Sequence, residues 1–323
     1  MADFSIPAEI TRRVHADISD RFDAGLVRLH AGHSRGSGGM VDLAAMLGKM
    51  HLLSAHRGTI IRELQARQDS DTGLVMPIAD YQCWPQVLAG VTSTLRVLGA
   101  RLTRIPDKLS ALTDEDALTE WLRRRNWDHP WGGATGAGHM VGGVLFALSD
   151  FGLLTQRLMT VIFDYLDSLR DDVYGVWAKR RFDPKSPRPA QLGGAYYFGL
   201  MYDRFQRPLD RPEGACRMLM RMQDQARVGT FCIDKRLSWP FGSTDHDALW
   251  LLARYSRLSA DLRAEVMPAI IRYARYFIGQ MSNEETYTSG YPVNRIMPIL
   301  RTLLPDSEDD VPYWHYRMYG WNF

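Results

Sequence analysis

Asp245-His246-Asp247 sets two carboxylates and an imidazole side by side, the residue types that give and take protons near neutral pH. Another stretch of the chain serves as a control. Thr113-Asp114-Glu115-Asp116-Ala117-Leu118 nearly repeats Thr244-Asp245-His246-Asp247-Ala248-Leu249. The first copy precedes a charged segment with Glu120, Arg123 and Arg124, and reads as a helix N-cap. The second precedes Leu249-Trp250-Leu251-Leu252, which predicts burial. A carboxylate at a buried helix start sits in an environment that shifts its pKa. Asp245 and Asp247 are therefore expected to be catalytic. The competing reading is a capping box over Thr244-x-x-Asp247.

Aromatic and basic residues supply a second set of candidates. Trp127-Asp128-His129-Pro130-Trp131-Gly132-Gly133, followed by His139, puts two tryptophans in a Gly/Pro loop. Flat rings suit stacking on the apolar face of a pyranose, and Trp84, Trp131 and Trp239 are the expected stacking rings. Asp128, His129 and His246 would line the same site. The alternative makes Trp127 and Trp131 structural plugs and His139 a core histidine. Tyr196-Tyr197 offers phenols that could move a proton in β-elimination from a uronic acid, with His139 beside Tyr196 and with Asn294 and Arg295 on the carboxylate. Hydrolysis would instead need two carboxylates about 5–5.5 Å or about 6.5–9.5 Å apart. Asp245, Asp247 and either Asp128 or Asp172 are available for it.

These residues are remote in sequence, so the elements that carry them must converge. A pattern recurs in which a helix-like segment ends in Gln or a basic residue and a polar link leads to Gly and an aromatic or apolar residue. The fullest copies are Ile60–Leu74, with Gln68-Asp69 and Gly73, and Phe163–Trp177, with Arg170-Asp171 and Gly175. Looser copies run from Met218 past Gln223 to Gly229 and Phe231, from Trp121 past Asn126 to Trp131-Gly132, and from Tyr276 past Gln280 to Gly290-Tyr291. The link starts at 68, 126, 170, 223 and 280 lie 44 to 58 residues apart. Apolar residues keep helical spacing, as in Leu154, Leu158, Ile162, Tyr165, Leu166 and Leu169. The expected fold class is all-α, built from helical hairpins of about 50 residues in series.

The Gln-Asp-x-x-x-Gly-x-aromatic loop after a helix resembles the repeat of α/α-toroid proteins: terpenoid cyclases, protein prenyltransferase β subunits, polysaccharide lyases and glycosidases. The resemblance covers residues 40 to 305 and implies a single (α/α)5–6 toroid. In such a ring the inner helices run the same way and gather their N-terminal ends around one mouth. Unpaired N–H groups there would favour polar or anionic ligands. Inner helices are expected to begin near Pro77–Trp84, Thr135–His139, Gln191–Tyr197, Ser243–Asp247 and Tyr291–Arg295. Tyr81, Trp84, His139, Tyr196, Asp245 and Asn294 would then share the central pocket. The resemblance implies a carbohydrate-active enzyme, a glycan hydrolase or lyase. A terpenoid cyclase-like enzyme is the alternative, because Asp245-x-Asp247-Ala248 is similar to an acid-bearing Asp-rich motif and is one Asp short. A non-catalytic ligand-binding or scaffold protein is the third reading. Dense glycine at Gly136, Gly138, Gly142, Gly143, Gly193 and Gly194 means either room for a ligand or tight helix packing.

Composition narrows the rest. The chain has 323 residues, 46% hydrophobic and 24% charged, and a net charge of +2, so neither disorder nor a nucleic-acid partner is expected. There is no apolar run near ~18 residues, so no integral membrane segment is expected. Residues 1–13 hold Asp3 and Glu9 and have no apolar stretch, so no secretory signal is expected. Cys83, Cys216 and Cys232 are widely spaced and odd in number, which fits a reducing, cytoplasmic setting. No cofactor and no metal is expected. The prenyltransferase zinc ligands find only an echo in Cys232, Asp234 and His246, and no P-loop or Gly-x-Ser-x-Gly elbow occurs. Domain expectations are an N-terminal helical segment over 1–40, the toroid over 41–305, and an acidic loop with an aromatic tail over 306–323. That tail would pack on the ring or join two copies in a homo-oligomer.

Overall fold

A computed structural model describes residues 6–31, 37–78, 80, 82–131, 135–177, 189–226, 229–231, 243–282, 296–297, 299–300 and 303–304. Among these the protein is all-α. The helices are α1 (Ala8–His30), α2 (Ser37–Met46), α3 (Arg57–Ala66), α4 (Trp84–Val97), α5 (Asp107–Ser110), α6 (Glu115–Arg123), α7 (Ala137–Asp150), α8 (Gln156–Asp167), α9 (Pro189–Arg204), α10 (Pro212–Ala226), α11 (Ser243–Tyr255) and α12 (Ala260–Met281). No β-strand occurs among the described residues; pairings such as Gln68 with Val75 are isolated bridges. Four of the five expected inner-helix starts coincide with α4, α7, α9 and α11. The fifth, near Tyr291–Arg295, lies outside the described residues, as does 306–323.

The chain forms two compact units, one from residues 6–20 and 171–304, the other from residues 21–170. In the 21–170 unit α4 and α7 run parallel. The start of α4 at Pro85 faces Gly143, and its later residues Thr92, Ser93 and Arg96 meet Asp150 at the end of α7. Both helices are buried along most of their length. Every residue of α7 from Ala137 to Leu148 is buried, as a helix without a polar face requires. Helices α6 and α8 pack together as a more amphipathic pair. They bury Leu118 and Leu122, and Leu158, Ile162, Phe163 and Leu166, while Glu120 and Arg124 pair at 2.7 Å on the exposed face. Asp114 and Thr155 cap them through the N–H groups of Ala117 (2.8 Å) and Leu158 (3.2 Å).

The other unit follows the same plan. Helices α9 and α11 run parallel: Tyr196 meets His246, Gly199 faces Leu251 and Tyr255, and Asp203 pairs with Arg254 near both C-terminal ends. Helices α10 and α12 are held by Arg272 with Asp224 at 2.5 Å and by Arg217 with Glu265 at 3.6 Å. Each unit thus sets one buried parallel pair beside one pair with a polar face.

The recurring loops are alike in atomic detail. After α3, the Asp69 N–H donates to Leu74 O (2.8 Å) and the Gly73 N–H to Asp69 O (2.9 Å). After α8, the Asp171 N–H donates to Val176 O (2.9 Å) and the Gly175 N–H to Asp171 O (3.1 Å). Both Asp side chains accept backbone N–H groups within their own loop: Asp69 from Thr72, Asp171 from Val173, Tyr174 and Val176. Gly73 and Gly175 hold φ of +71° and +66°, a conformation glycine adopts without steric cost. A Cβ on Gly73 would lie 3.0 Å from Pro106 Cα, at the entrance of α5. Val75, Trp177 and Phe231 occupy the terminal aromatic or apolar slot, and all are buried.

The loop glutamine is a clamp. Gln68 Nε2 donates to Gly73 O (2.8 Å) and to Arg104 O (2.6 Å). Gln223 Nε2 does the same for Gly229 O (2.8 Å) and, on α12, for Ala269 O (2.9 Å). Gln223 is 1% exposed, so removing its amide strands two buried carbonyls. Gln223→Ala is expected to destabilise the protein by about 2–4 kcal/mol in urea unfolding, and more than Gln68→Ala, because Gln68 is only half-buried and its partner Arg104 is exposed.

Candidate functional site

In the unit formed by residues 6–20 and 171–304, the N-terminal halves of α9 and α11 bring Tyr196, Tyr197, His246, Asp247 and Trp250 together. The Tyr196 ring stands edge-on to Tyr197 (5.0 Å), His246 (5.4 Å) and Trp250 (5.4 Å). His246 Nδ1 lies 3.1 Å from Asp247 Oδ1, with both side chains buried. With Asp247 ionised, Nδ1–H donates to it and Nε2 carries the lone pair, which orients the imidazole as a base. Sequence reasoning placed His246 among binding residues; the structure ties it to a carboxylate and a tyrosine.

Asp245 has a separate environment. It is 1% exposed, and its Oδ1 accepts the Phe231 N–H at 2.7 Å. Burial pushes its carboxyl up to about 7, against the lowering effect of that hydrogen bond. The look-alike segment behaves differently: Asp114 is an exposed N-cap on its own helix. Phe231 stacks on Tyr273 of α12 at 5.7 Å. Tyr273 is fully buried, and its hydroxyl has no hydrogen-bond partner among the described residues. Burial, and then the neighbouring charge of Asp245, push that phenol well above the usual range. A carboxyl that is half protonated near neutrality, an Asp–His pair and two tyrosines can together donate and accept protons.

In the 21–170 unit, His139 lies in the first turn of α7 and is 6% exposed. Trp127 is structural: it is buried, donates Nε1–H to Leu122 O (2.9 Å) and packs 5.4 Å from Tyr165. Asp128 is exposed, and His129, Trp131 and Trp84 are half-buried. Open N–H groups were expected at the start of α7, and the preceding loop takes two of them. The Ala137 N–H donates to His129 O (3.0 Å), and the Gly138 N–H to Pro130 O and Trp131 O (both 3.1 Å).

The glycine question is settled for Gly143. A Cβ there would sit 2.4 Å from the Pro85 carbonyl carbon, so this glycine serves close packing of α4 on α7. Sequence reasoning passed over Tyr273 and Gln86. Gln86 is 2% exposed, and its Oε1 has no partner among the described residues. Neither carried a motif; spacing of one turn from His246 would have found Trp250. Tyr81, Trp239, Asn294 and Arg295 lie outside the described residues, as do Cys232 and Asp234.

Several chemistries lack support among the described residues. No group of three or more His, Cys, Asp or Glu side chains that could hold a metal occurs there. Burial raises the thiols of Cys83 and Cys216 to about 11 and about 12, which keeps both protonated and poorly nucleophilic. No described helix is long and apolar enough to cross a membrane. Comparison with protein-family models, with curated proteins and with solved structures finds no match to this chain.

Proposed function

We propose that the chain is a carbohydrate-active enzyme of the α/α-toroid type that cleaves a glycan by acid–base chemistry, with Asp245 as the proton donor. The observation that carries this reading is the buried Asp245 carboxyl, raised to about 7 beside an Asp–His pair. Glycan cleavage needs an acid that keeps its proton at neutral pH, and burial is how proteins make one. His246, oriented by Asp247, is the base: it activates water in hydrolysis or takes the proton α to the carboxylate in elimination from a uronic acid. Tyr197 and Trp250, at 8% and 9% exposure, are the most accessible rings of the cluster and would meet the sugar. The parallel pairs α4/α7 and α9/α11, and the repeated Gln and Gly loops, support the toroid reading. Cytoplasmic location belongs to the same proposal.

A second reading, a terpenoid cyclase-like enzyme, is favoured by the aromatic surroundings of the acid: Phe231 bonds Asp245, and Tyr273 stacks on Phe231. One experiment separates the two. Neutral and uronic oligosaccharides are incubated with the wild type and with Asp245→Asn, Asp247→Asn, His246→Ala and His139→Ala. New reducing ends without ultraviolet absorbance report hydrolysis, and reducing ends together with the absorbance of a conjugated uronate report elimination. Sugar turnover that falls in Asp245→Asn and His246→Ala supports the reading. Turnover untouched by all four variants removes the site. Prenyl diphosphate bound without sugar turnover moves the assignment to the cyclase class.

A further inference from the structure

At the opposite end of α4 and α7 from His139, within the 21–170 unit, lies a cleft of about 270 Å³. Its wall includes Thr92, Arg96, Arg101, Leu102, Asp150 and Phe151. Its size is near the lower end of small-ligand pockets, which run from about 300 Å³ upward. The charges facing it are two guanidinium groups and one carboxylate. The carboxylate is already committed. Asp150 is 3% exposed and receives Arg96 Nε (3.1 Å), Thr92 Oγ1 (3.2 Å) and Ser93 Oγ (3.1 Å). It cannot offer itself to a ligand without giving up a protein donor.

The helix-end carbonyls are also largely spoken for. Leu98 O accepts Arg57 Nε–H at 2.7 Å, and the Ala100 N–H and Leu153 N–H close the last turns onto Leu95 O and Leu148 O, each at 2.8 Å. The negative end of the helix dipole is therefore blunted on this face. What stays available is cationic. Arg96 gives only Nε to Asp150, and that bond fixes the plane of its guanidinium while half of the side chain remains exposed. Arg101 is exposed, and its guanidinium makes no hydrogen bond or ion pair among the described residues. Leu102 and Phe151 add an apolar wall.

We propose that this cleft binds a small organic anion, its carboxylate or phosphate held by Arg101 and the outer edge of Arg96, and its apolar body against Leu102 and Phe151. Planar, donor-rich guanidinium groups match such anions in pairs of parallel hydrogen bonds. The site is distinct from the Asp245 cluster and does not depend on the enzymatic reading.

Calorimetric titration of the full chain tests it with phenyl phosphate and benzoate, against benzyl alcohol and inorganic phosphate. At least one of the two aromatic anions is expected to bind, and benzyl alcohol is not. Arg101→Gln should weaken that binding by about tenfold to a hundredfold while leaving the melting temperature unchanged, since the side chain is exposed and makes no bond among the described residues. Failure of both aromatic anions to bind, or equal binding by Arg101→Gln, overturns the proposal. Inorganic phosphate binding as tightly as phenyl phosphate would overturn the apolar half of the site.

Discussion

Asp245→Asn is expected to make the protein more stable at pH 8 and, under the proposed mechanism, to lower turnover about a hundredfold to ten-thousandfold. The two effects share one cause. In the unfolded chain the carboxyl titrates near its ordinary value of 3.8, and in the native state it titrates at about 7. Below about pH 4 both states are protonated and burial carries no electrostatic penalty. Between about pH 4 and about pH 7 the native state holds a proton that the unfolded state has released, so wild-type stability falls as pH rises. Above that window the native state keeps a buried charge, at a cost of roughly 4 kcal/mol. Asparagine is neutral throughout, and its amide oxygen can still accept the Phe231 N–H. The variant should match the wild type near pH 4 and pull ahead steadily up to about pH 7. Thermal melts at half-unit steps across that range measure the gap. A gap that stays constant with pH would mean that the carboxyl is not raised, and the proton-donor role would go with it.

Much of the fold was legible because its signals are local. A left-handed glycine five residues after Gln68, and again five after Arg170, marks the same turn, and helix starts follow at α4 and α9. The apolar run after Asp247 announced a buried helix, and α11 is buried along nearly its whole length. The partners of the site residues were not legible. Asp245 bonds a backbone N–H fourteen residues away, in a loop whose sequence advertises nothing beyond Phe231. Thr113–Leu118 and Thr244–Leu249 share a pattern, yet one Asp caps its own helix and the other bonds the Phe231 N–H. What separates them is burial, which is tertiary. The α7 loop shows the converse: its carbonyls turn back onto the helix start and occupy N–H groups that a motif reading assigns to a ligand. Backbone hydrogen bonding of this kind leaves no trace in residue type.

Gly143→Ala should destabilise the protein by about 3 kcal/mol, whereas Gly279→Ala should stabilise it by about 0.5–1 kcal/mol. Both changes add one methyl group to a helix and remove the same backbone freedom from the unfolded chain. In α12 the new Cβ of residue 279 meets no atom within 4 Å, so only the gain in helix propensity remains. In α7 the Cβ of residue 143 would lie 2.4 Å from Pro85 C, 2.5 Å from Pro85 O and 2.7 Å from Gln86 N. These are backbone atoms at the start of a buried helix, and no rotamer change can move them aside. The two helices must separate, and every contact along their shared face weakens together, including the one that holds Asp150 to Arg96. Urea midpoints of the two variants should therefore shift in opposite directions. A loss on that scale from a single methyl group would show that the glycine of α7 exists for the approach of α4; a shift below about 1 kcal/mol would mean the pair has slack, and the glycine would again need a ligand to explain it.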